Sequence, residues 1–179
     1  TNSDYIESDG FFNFYPKVSP DGSTVAYLSN KGRDHSTVSL YLQTDNDSSS
    51  ISSIDEHHSH HDHDHAVCAQ PTIPFISTSF SFSPDGNQIV YSVNKKNKFG
   101  ETYRDLFIYD LKTKESKRLT QSARIQSPNW GTNEYIVAIK HESGTQNLVT
   151  FHPDSTEHLK TITSFSDAET IFSPMWHPN

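Results

Sequence analysis

The densest group of reactive side chains in the chain is Asp55-Glu56-His57-His58-Ser59-His60-His61-Asp62-His63-Asp64-His65. Six imidazoles and four carboxylates within eleven residues make a donor set for Zn, Ni or Cu, since neutral imidazole suits all three metals. In an extended segment His61, His63 and His65 project to one side, and the neighbouring carboxylates favour a bound cation. A defined site also needs groups behind the ligands to hold them, and this run supplies few. The competing reading is a hydrophilic loop that gains charge as pH falls through about 6.5. Nothing else in the chain calls for a cofactor.

A second set of polar residues lies in short segments between apolar runs: Lys31, Arg33, Asp34 and His35; Lys95, Lys96, Lys98, Phe99, Tyr103 and Arg104; then Arg124, His141 and Glu142. Signatures of catalysis are missing. The chain has no Gly-x-Ser-x-Gly elbow, no phosphate-cradling glycine loop, and His141-Glu142 lacks a second His four residues on. No catalytic residue is therefore assigned to this segment. Cys68 is the one cysteine, so no disulfide forms within the chain.

These groups must be positioned by a repeated element. Ser83-Pro84-Asp85-Gly86 stands between Phe80-Ser81-Phe82 and Ile89-Val90-Tyr91. Ser19-Pro20-Asp21-Gly22 stands likewise before Val25-Ala26-Tyr27. Pro presets φ for the second residue of a type I turn, Asp tolerates the third position, and Gly takes positive φ at the end. Each copy therefore predicts a β-hairpin. A degraded copy, Ser127-Pro128-Asn129-Trp130-Gly131-Thr132-Asn133, allows a shorter loop or an Asn in the left-handed region. The chain ends within a fourth, Ser173-Pro174-Met175-Trp176. Pro16, Phe80, Pro128 and Pro174 are separated by 64, 48 and 46 residues. The last two spacings match the roughly 40–50 residues of a four-stranded propeller blade. The first carries an insertion of 16 to 18 residues, visible as the Ser- and His-rich stretch at about 45–65.

The fold expected is all-β: a β-propeller fragment of about three four-stranded antiparallel blades plus the first strand of a fourth, with almost no helix. Residues 1–14 are read as the tail of a preceding blade or its connection, 15–78 as blade one, 79–126 as blade two, 127–172 as blade three and 173–179 as the start of blade four. In blade two the third strand is expected at 105–111 after a loop at 94–103, and the fourth at 116–120. In blade three a loop is expected at 141–145 and the last strand at 159–163. Val18, Phe82, Trp130 and Trp176 occupy one repeat position and predict packing between blades. Lys17, Ser81, Asn129 and Met175, one residue earlier, face the other way.

Composition agrees. Only 32% of residues are hydrophobic, but 12% are aromatic and recur at repeat positions. A formal net charge of −8 leaves no basic face for a phosphate backbone, so nucleic acid is not an expected partner. No apolar run is long enough to insert in a membrane and no signal peptide is recognisable. Both ends read as cuts in a longer protein whose remaining blades would be the first partners of this segment.

The elements Tyr15-Pro16 with Ser19-Pro20-Asp21-Gly22, Asp105-Leu106-Phe107-Ile108-Tyr109-Asp110, Arg118-Leu119-Thr120 and Ser127-Pro128-Asn129-Trp130 resemble the TolB-like propeller repeat (WD40-like, PD40). The likeness covers roughly residues 13–179. Its departures are the missing Pro-Asp-Gly of blade three, Ile162-Thr163 where Leu-Thr is usual, and the His-rich insertion. The resemblance implies a propeller of a bacterial periplasmic or secreted protein, serving as a platform for a protein or peptide partner. The alternative it implies is an accessory, substrate-gating propeller of a secreted peptidase whose catalytic domain lies elsewhere. A third reading is metal binding through the His-rich loop. In a propeller, loops joining strands two and three share one face with the interblade connections. That puts Arg33, Asp34, His35, Lys95, Lys96, Phe99, Tyr103, Arg104, Arg124, His141 and Glu142 on the expected interaction face. Pro20, Asp21, Gly22, Pro84, Asp85 and Gly86 are expected to be structural turn residues.

Overall fold

The computed structural model describes residues 12–31, 38–44, 72–74, 76, 79–166 and 169–177. The insertion with its six histidines, the residues Arg33, Asp34 and His35, and residues 1–11 lie outside the described residues. Among the described residues there are eleven strands in three antiparallel sheets and no helix. The described residues up to 74, apart from 19–21, form one compact unit, and 19–21 with the described residues from 76 on form a second.

The first unit holds β1 (Asn13–Val18), β2 (Thr24–Ser29) and β3 (Ser39–Thr44), in the order β1-β2-β3. Tyr27 and Tyr41, paired across β2 and β3, stack at 5.8 Å. Of the fourth strand expected for this blade, the described residues show one bridge, in which the Leu40 N–H donates to the Ile73 carbonyl at 2.8 Å.

The second unit holds two complete blades. One is β4 (Phe80–Phe82), β5 (Gln88–Lys96), β6 (Thr102–Asp110) and β7 (Ser116–Arg118). The other is β8 (Ile125–Trp130), β9 (Ile136–Glu142), β10 (Thr145–Phe151) and β11 (Lys160–Thr161). Between them Val90, Leu106, Ile108 and Leu119 pack with Ile125, Ile136, Ala138, Val149 and Phe151, with Trp130 against the edge. Each fully buried aliphatic here stabilises the unit by about 1.5–3 kcal/mol. Phe82 is buried and Trp130 joins the core as expected from the repeat, whereas Val18 at the equivalent position is 60% exposed.

The Ser-Pro-Asp-Gly turns form as their chemistry dictates. Gly22 and Gly86 take φ of 77° and 73°. The serine adds a staple that turn propensity alone does not require. Ser83 Oγ donates to Asp85 at 2.5 Å and accepts the Gln88 N–H at 2.9 Å. Ser19 Oγ donates to Asp21 at 2.5 Å in the first copy. The third copy turns one residue sooner, closing with a Gly131 N–H to Tyr135 carbonyl bond where blade two uses Ser83 to Gln88. Its left-handed residue is Glu134 (φ 66°) and not Asn133, whose side chain instead accepts the Tyr135 N–H at 3.1 Å.

Proline marks where the innermost strand bulges. The residue before it has positive φ in three copies: Tyr15 at 53°, Ser127 at 53° and Ser173 at 45°. The register shifts between Phe14 and Lys17 in β1 and between Gln126 and Asn129 in β8. In β4 Phe80 replaces the proline, and the ladder runs on unbroken through 80, 81 and 82. Proline has no N–H to give a ladder, so the chain steps around it with a bulge. The start of a fourth blade expected at 173–179 keeps this backbone turn, and its described residues, 173–177, form no strand because no described residue offers them a ladder.

Successive copies are also joined by a repeated hydrogen bond. The Trp130 N–H donates to Ser81 Oγ at 3.1 Å, and the Trp176 N–H donates to Asn129 Oδ1 at 2.9 Å. Ser81 and Asn129 occupy the same repeat position, as do the two tryptophans. Gly131 lies where a Cβ would come within 2.6 Å of the Trp176 ring, so the indole seats on bare backbone.

Candidate functional site

A buried carboxylate fixes the crossing from the first complete blade to the second. Asp105 has no exposed surface. It accepts from Arg118 Nη2 at 2.6 Å, Thr120 Oγ1 at 3.0 Å, and the N–H groups of Ser122 and Ala123 at 3.0 Å each. Thr120 Oγ1 in turn accepts the Leu106 N–H at 2.9 Å, and Leu119 enters the interblade core. The Arg-Leu-Thr sequence thus holds the chain end of blade two against β6, each residue by a different interaction. Four bonds to one carboxylate make the crossing rigid, because a buried carboxylate left short of donors is costly.

The residues just after the crossing reach the rim. The β5–β6 hairpin is longer than the sequence suggests: its ladder runs to Lys96 opposite Thr102, so the loop is 97–101 instead of 94–103. Asn97 Oδ1 accepts the N–H groups of Phe99 and Glu101, and Gly100 supplies a φ of 83°. The β9–β10 loop is shorter still. Ser143 (φ 50°) and Gly144 (φ 82°) form a two-residue hairpin turn, and His141 and Glu142 belong to β9 instead of to a 141–145 loop. Two adjacent positive-φ residues match the twist of the flanking strands, so the ladder persists to the tip.

Between these hairpins lies a cavity of about 450 Å³ lined by Glu101, Thr102, Tyr103, Arg104, Arg124, Gln126 and His141. The guanidinium of Arg124 stands 5.1 Å from the centre of the Tyr103 ring. Arg124 has φ of 55°, and its carbonyl accepts the His141 N–H at 2.9 Å. Left-handed backbone at a non-glycine residue is held only where the surroundings enforce it. Tyr103 OH donates to Glu101 Oε2 at 2.7 Å, and Asn97 Nδ2 donates to the same oxygen at 2.9 Å. These two bonds, with the Arg124 charge, hold the Glu101 carboxyl below its ordinary pKa. Burial, helped by the charge of Arg104, lowers the His141 pKa and keeps that imidazole neutral. His141 Nε2 and Gln126 Oε1 are shielded from solvent and have no hydrogen-bond partner among the described residues.

An adjoining hollow of about 340 Å³ shares Arg124 and His141 and extends to Glu142, Thr145, Gln146 and Glu169. Of the residues expected on the interaction face, Tyr103, Arg104, Arg124, His141 and Glu142 are therefore brought together. Glu142 is tied to Lys140 at 3.0 Å. Lys95 turns away, its Nζ lying 5.6 Å from the centre of the Phe107 ring, and Phe99 stands at the loop tip, 77% exposed. Lys96 ends the β5 ladder. Sequence reasoning missed Glu101, Thr102 and Gln126, as well as the Asp105 hub. A signal for Asp105 was present in its spacing from Arg118 and Thr120. At the opposite ends of the same strands a cleft of about 600 Å³ is lined by Asp85, Asp110, Glu115, Glu134 and Asp154 beside Trp130 and His152.

No family model matches the chain, and no curated protein matches it. Solved structures do. The β-propeller domain of the Trilobed protease from Pyrococcus furiosus is similar with a TM-score of 0.55 at 18% identity, over 87% of this chain and 42% of that one. A structure from a study of two prolyl endopeptidases is similar with a TM-score of 0.56 at 14% identity, over 89% of this chain and 23% of that one. The acylaminoacyl peptidase of Pyrococcus horikoshii is similar with a TM-score of 0.53 at 12% identity, over 87% and 25%. The chain spans less than half the length of each. At these identities the likeness shows a common fold, and that fold is the β-propeller.

Proposed function

We propose that this chain is a non-catalytic segment of a TolB-like propeller that binds a protein or peptide at the rim of its two complete blades, within a larger periplasmic or secreted protein. The observation that carries this reading is the convergence of Tyr103, Arg104, Arg124 and His141, from both blades, around one cavity. Propeller loops supply binding groups from a rigid scaffold, and here the scaffold is the Asp105-anchored crossing. Selecting peptides from a displayed library on the 179-residue protein tests it. Selected peptides should lose at least about tenfold in affinity on the Arg104→Glu, Arg124→Glu double variant, a loss of about 1.4 kcal/mol, and none on Lys112→Gln. Peptides indifferent to the double variant, or no selected peptides at all, would overturn the reading.

A second reading is favoured by the three similar structures named above, which come from peptidases. In it the same rim gates access to a catalytic domain on the parent chain. A Gly-x-Ser-x-Gly or His-Glu-x-x-His motif encoded beyond this segment would support it. A parent protein with further propeller repeats and no such motif would remove it. Metal binding by His57–His65 stays a proposal of its own, tested by zinc titration with and without that segment.

A further inference from the structure

We infer that the cavity between the β5–β6 and β9–β10 hairpins is a carboxylate subsite, and that its occupant is the free C-terminus of a bound peptide. The inference rests on the peptide-binding reading above and names what that site recognises.

Three observations carry it. Neither the Arg104 nor the Arg124 guanidinium makes a hydrogen bond or ion pair among the described residues, although each has five N–H donors. Arg118, one strand away, shows the contrast: its donors go to Asp105 and the Thr120 carbonyl. Two uncommitted guanidiniums facing one cavity, in a chain of net charge −8, mark a place where an anion is expected. Secondly, Arg124, although exposed, has contacts that bias its position. It is placed by a left-handed backbone, by its carbonyl's bond from His141, and by the Tyr103 ring beneath its guanidinium. Preorganisation of this kind lowers the entropy lost on binding.

The third observation selects the anion. Glu101 lines the same cavity as a carboxylate, so with His141 neutral the lining keeps a single net positive charge. That matches a monoanion. A phosphate dianion would leave the cavity with excess negative charge beside Glu101. A C-terminal residue also brings a backbone N–H, which the unpartnered Gln126 Oε1 can accept once its side chain turns from its shielded position into the cavity that it lines. An acidic side chain brings no N–H at a fixed distance from its carboxylate.

The test is a nitrogen-15 NMR titration of the 179-residue protein, following amides 101–104, 124–126 and 141 and the Arg Nε–H signals. The probes are acetyl-trialanine as free acid, the same peptide as C-terminal amide, acetyl-Ala-Glu-Ala-amide and inorganic phosphate. The free acid should shift these signals with an affinity at least about tenfold better than any other probe, as loss of one charge-assisted contact implies. Arg104→Gln and Arg124→Gln should each abolish that preference while leaving distant amides in place. Equal binding of acid and amide at these signals would overturn the carboxylate inference but leave peptide binding standing. Tighter binding by the Glu-bearing amide or by phosphate would overturn it in favour of those anions. If no peptide moves these signals at tens of millimolar, both the inference and the reading beneath it fail. Since wild-type protein alone decides among the probes, a variant that does not fold leaves the outcome intact.

Discussion

Asp105 and Arg124 put ionic side chains to opposite uses within one crossing. Asp105 is wholly buried and accepts four hydrogen bonds, two of them from backbone that must turn into the next blade. Replacing it with alanine would strand Thr120 Oγ1 and two N–H groups, while Arg118, being 35% exposed, would turn to water. We expect Asp105→Ala to cost about 3 kcal/mol in urea unfolding and Asp105→Asn clearly less, since the amide keeps one acceptor. A loss under 1 kcal/mol for the alanine variant would mean the crossing is held by Leu119 and the core instead. Arg124 makes no such bond, and its removal should leave stability nearly unchanged. The difference was only half visible in the chain. Arg118-Leu119-Thr120 and the strand opening at Asp105 both stood out as repeat elements, but only their spacing of 13 to 15 residues links the carboxylate to the groups that hold it.

At the scale of elements, the hairpins carry the information that sequence expressed best and worst. Turns were legible because their chemistry is local: Pro84, Asp85 and Gly86 each satisfy a dihedral or a bond within four residues. Strand ends were not, because a strand continues as long as its neighbour offers a ladder. That is why Lys95, Lys96, His141 and Glu142 lie in strands. The link between elements is testable. Ser81→Ala and Asn129→Ala each remove the acceptor for the next tryptophan N–H, and each should cost about 1 kcal/mol by thermal or chemical unfolding. Because the two sites serve different junctions, their costs should add. A strongly sub-additive double variant would show that the two bonds report a single cooperative shift.

For the second unit as a whole, pH is the simplest probe. Hydrogen bonds from Ser83 and Asn87 lower the Asp85 pKa, those from Thr113 and Gln88 lower that of Asp110, and those from Tyr103 and Asn97 lower that of Glu101. A carboxyl with a depressed folded pKa contributes stability above its ordinary value and loses it as pH falls through the folded value. Stability should therefore drop as pH falls below the ordinary 4.5 of Glu101 and 3.8 of the aspartates. His141 acts earlier. Its folded pKa is also depressed, so below the ordinary 6.5 the unfolded chain takes up a proton that the folded chain resists. His141→Gln should flatten the stability profile just below pH 6.5 and leave the acid limb unchanged. An unaltered slope near 6.5 would show that burial does not hold this imidazole neutral.

Repeat spacing, turn residues and the alternation of apolar side chains were enough to determine an all-β propeller fold and its tryptophan position, because each depends on neighbours a few residues apart or on a period. The sequence also pointed to most of the charged rim. Tertiary structure decided which of those residues share one cavity. Arg104 lies in β6 and Arg124 starts the second complete blade, and only the packing of that blade against the first brings their guanidiniums, Gln126 and His141 around one cavity. Among the described arginines, which is committed is a matter of distance in space: Arg118 reaches Asp105, while Arg104 and Arg124 have no such partner.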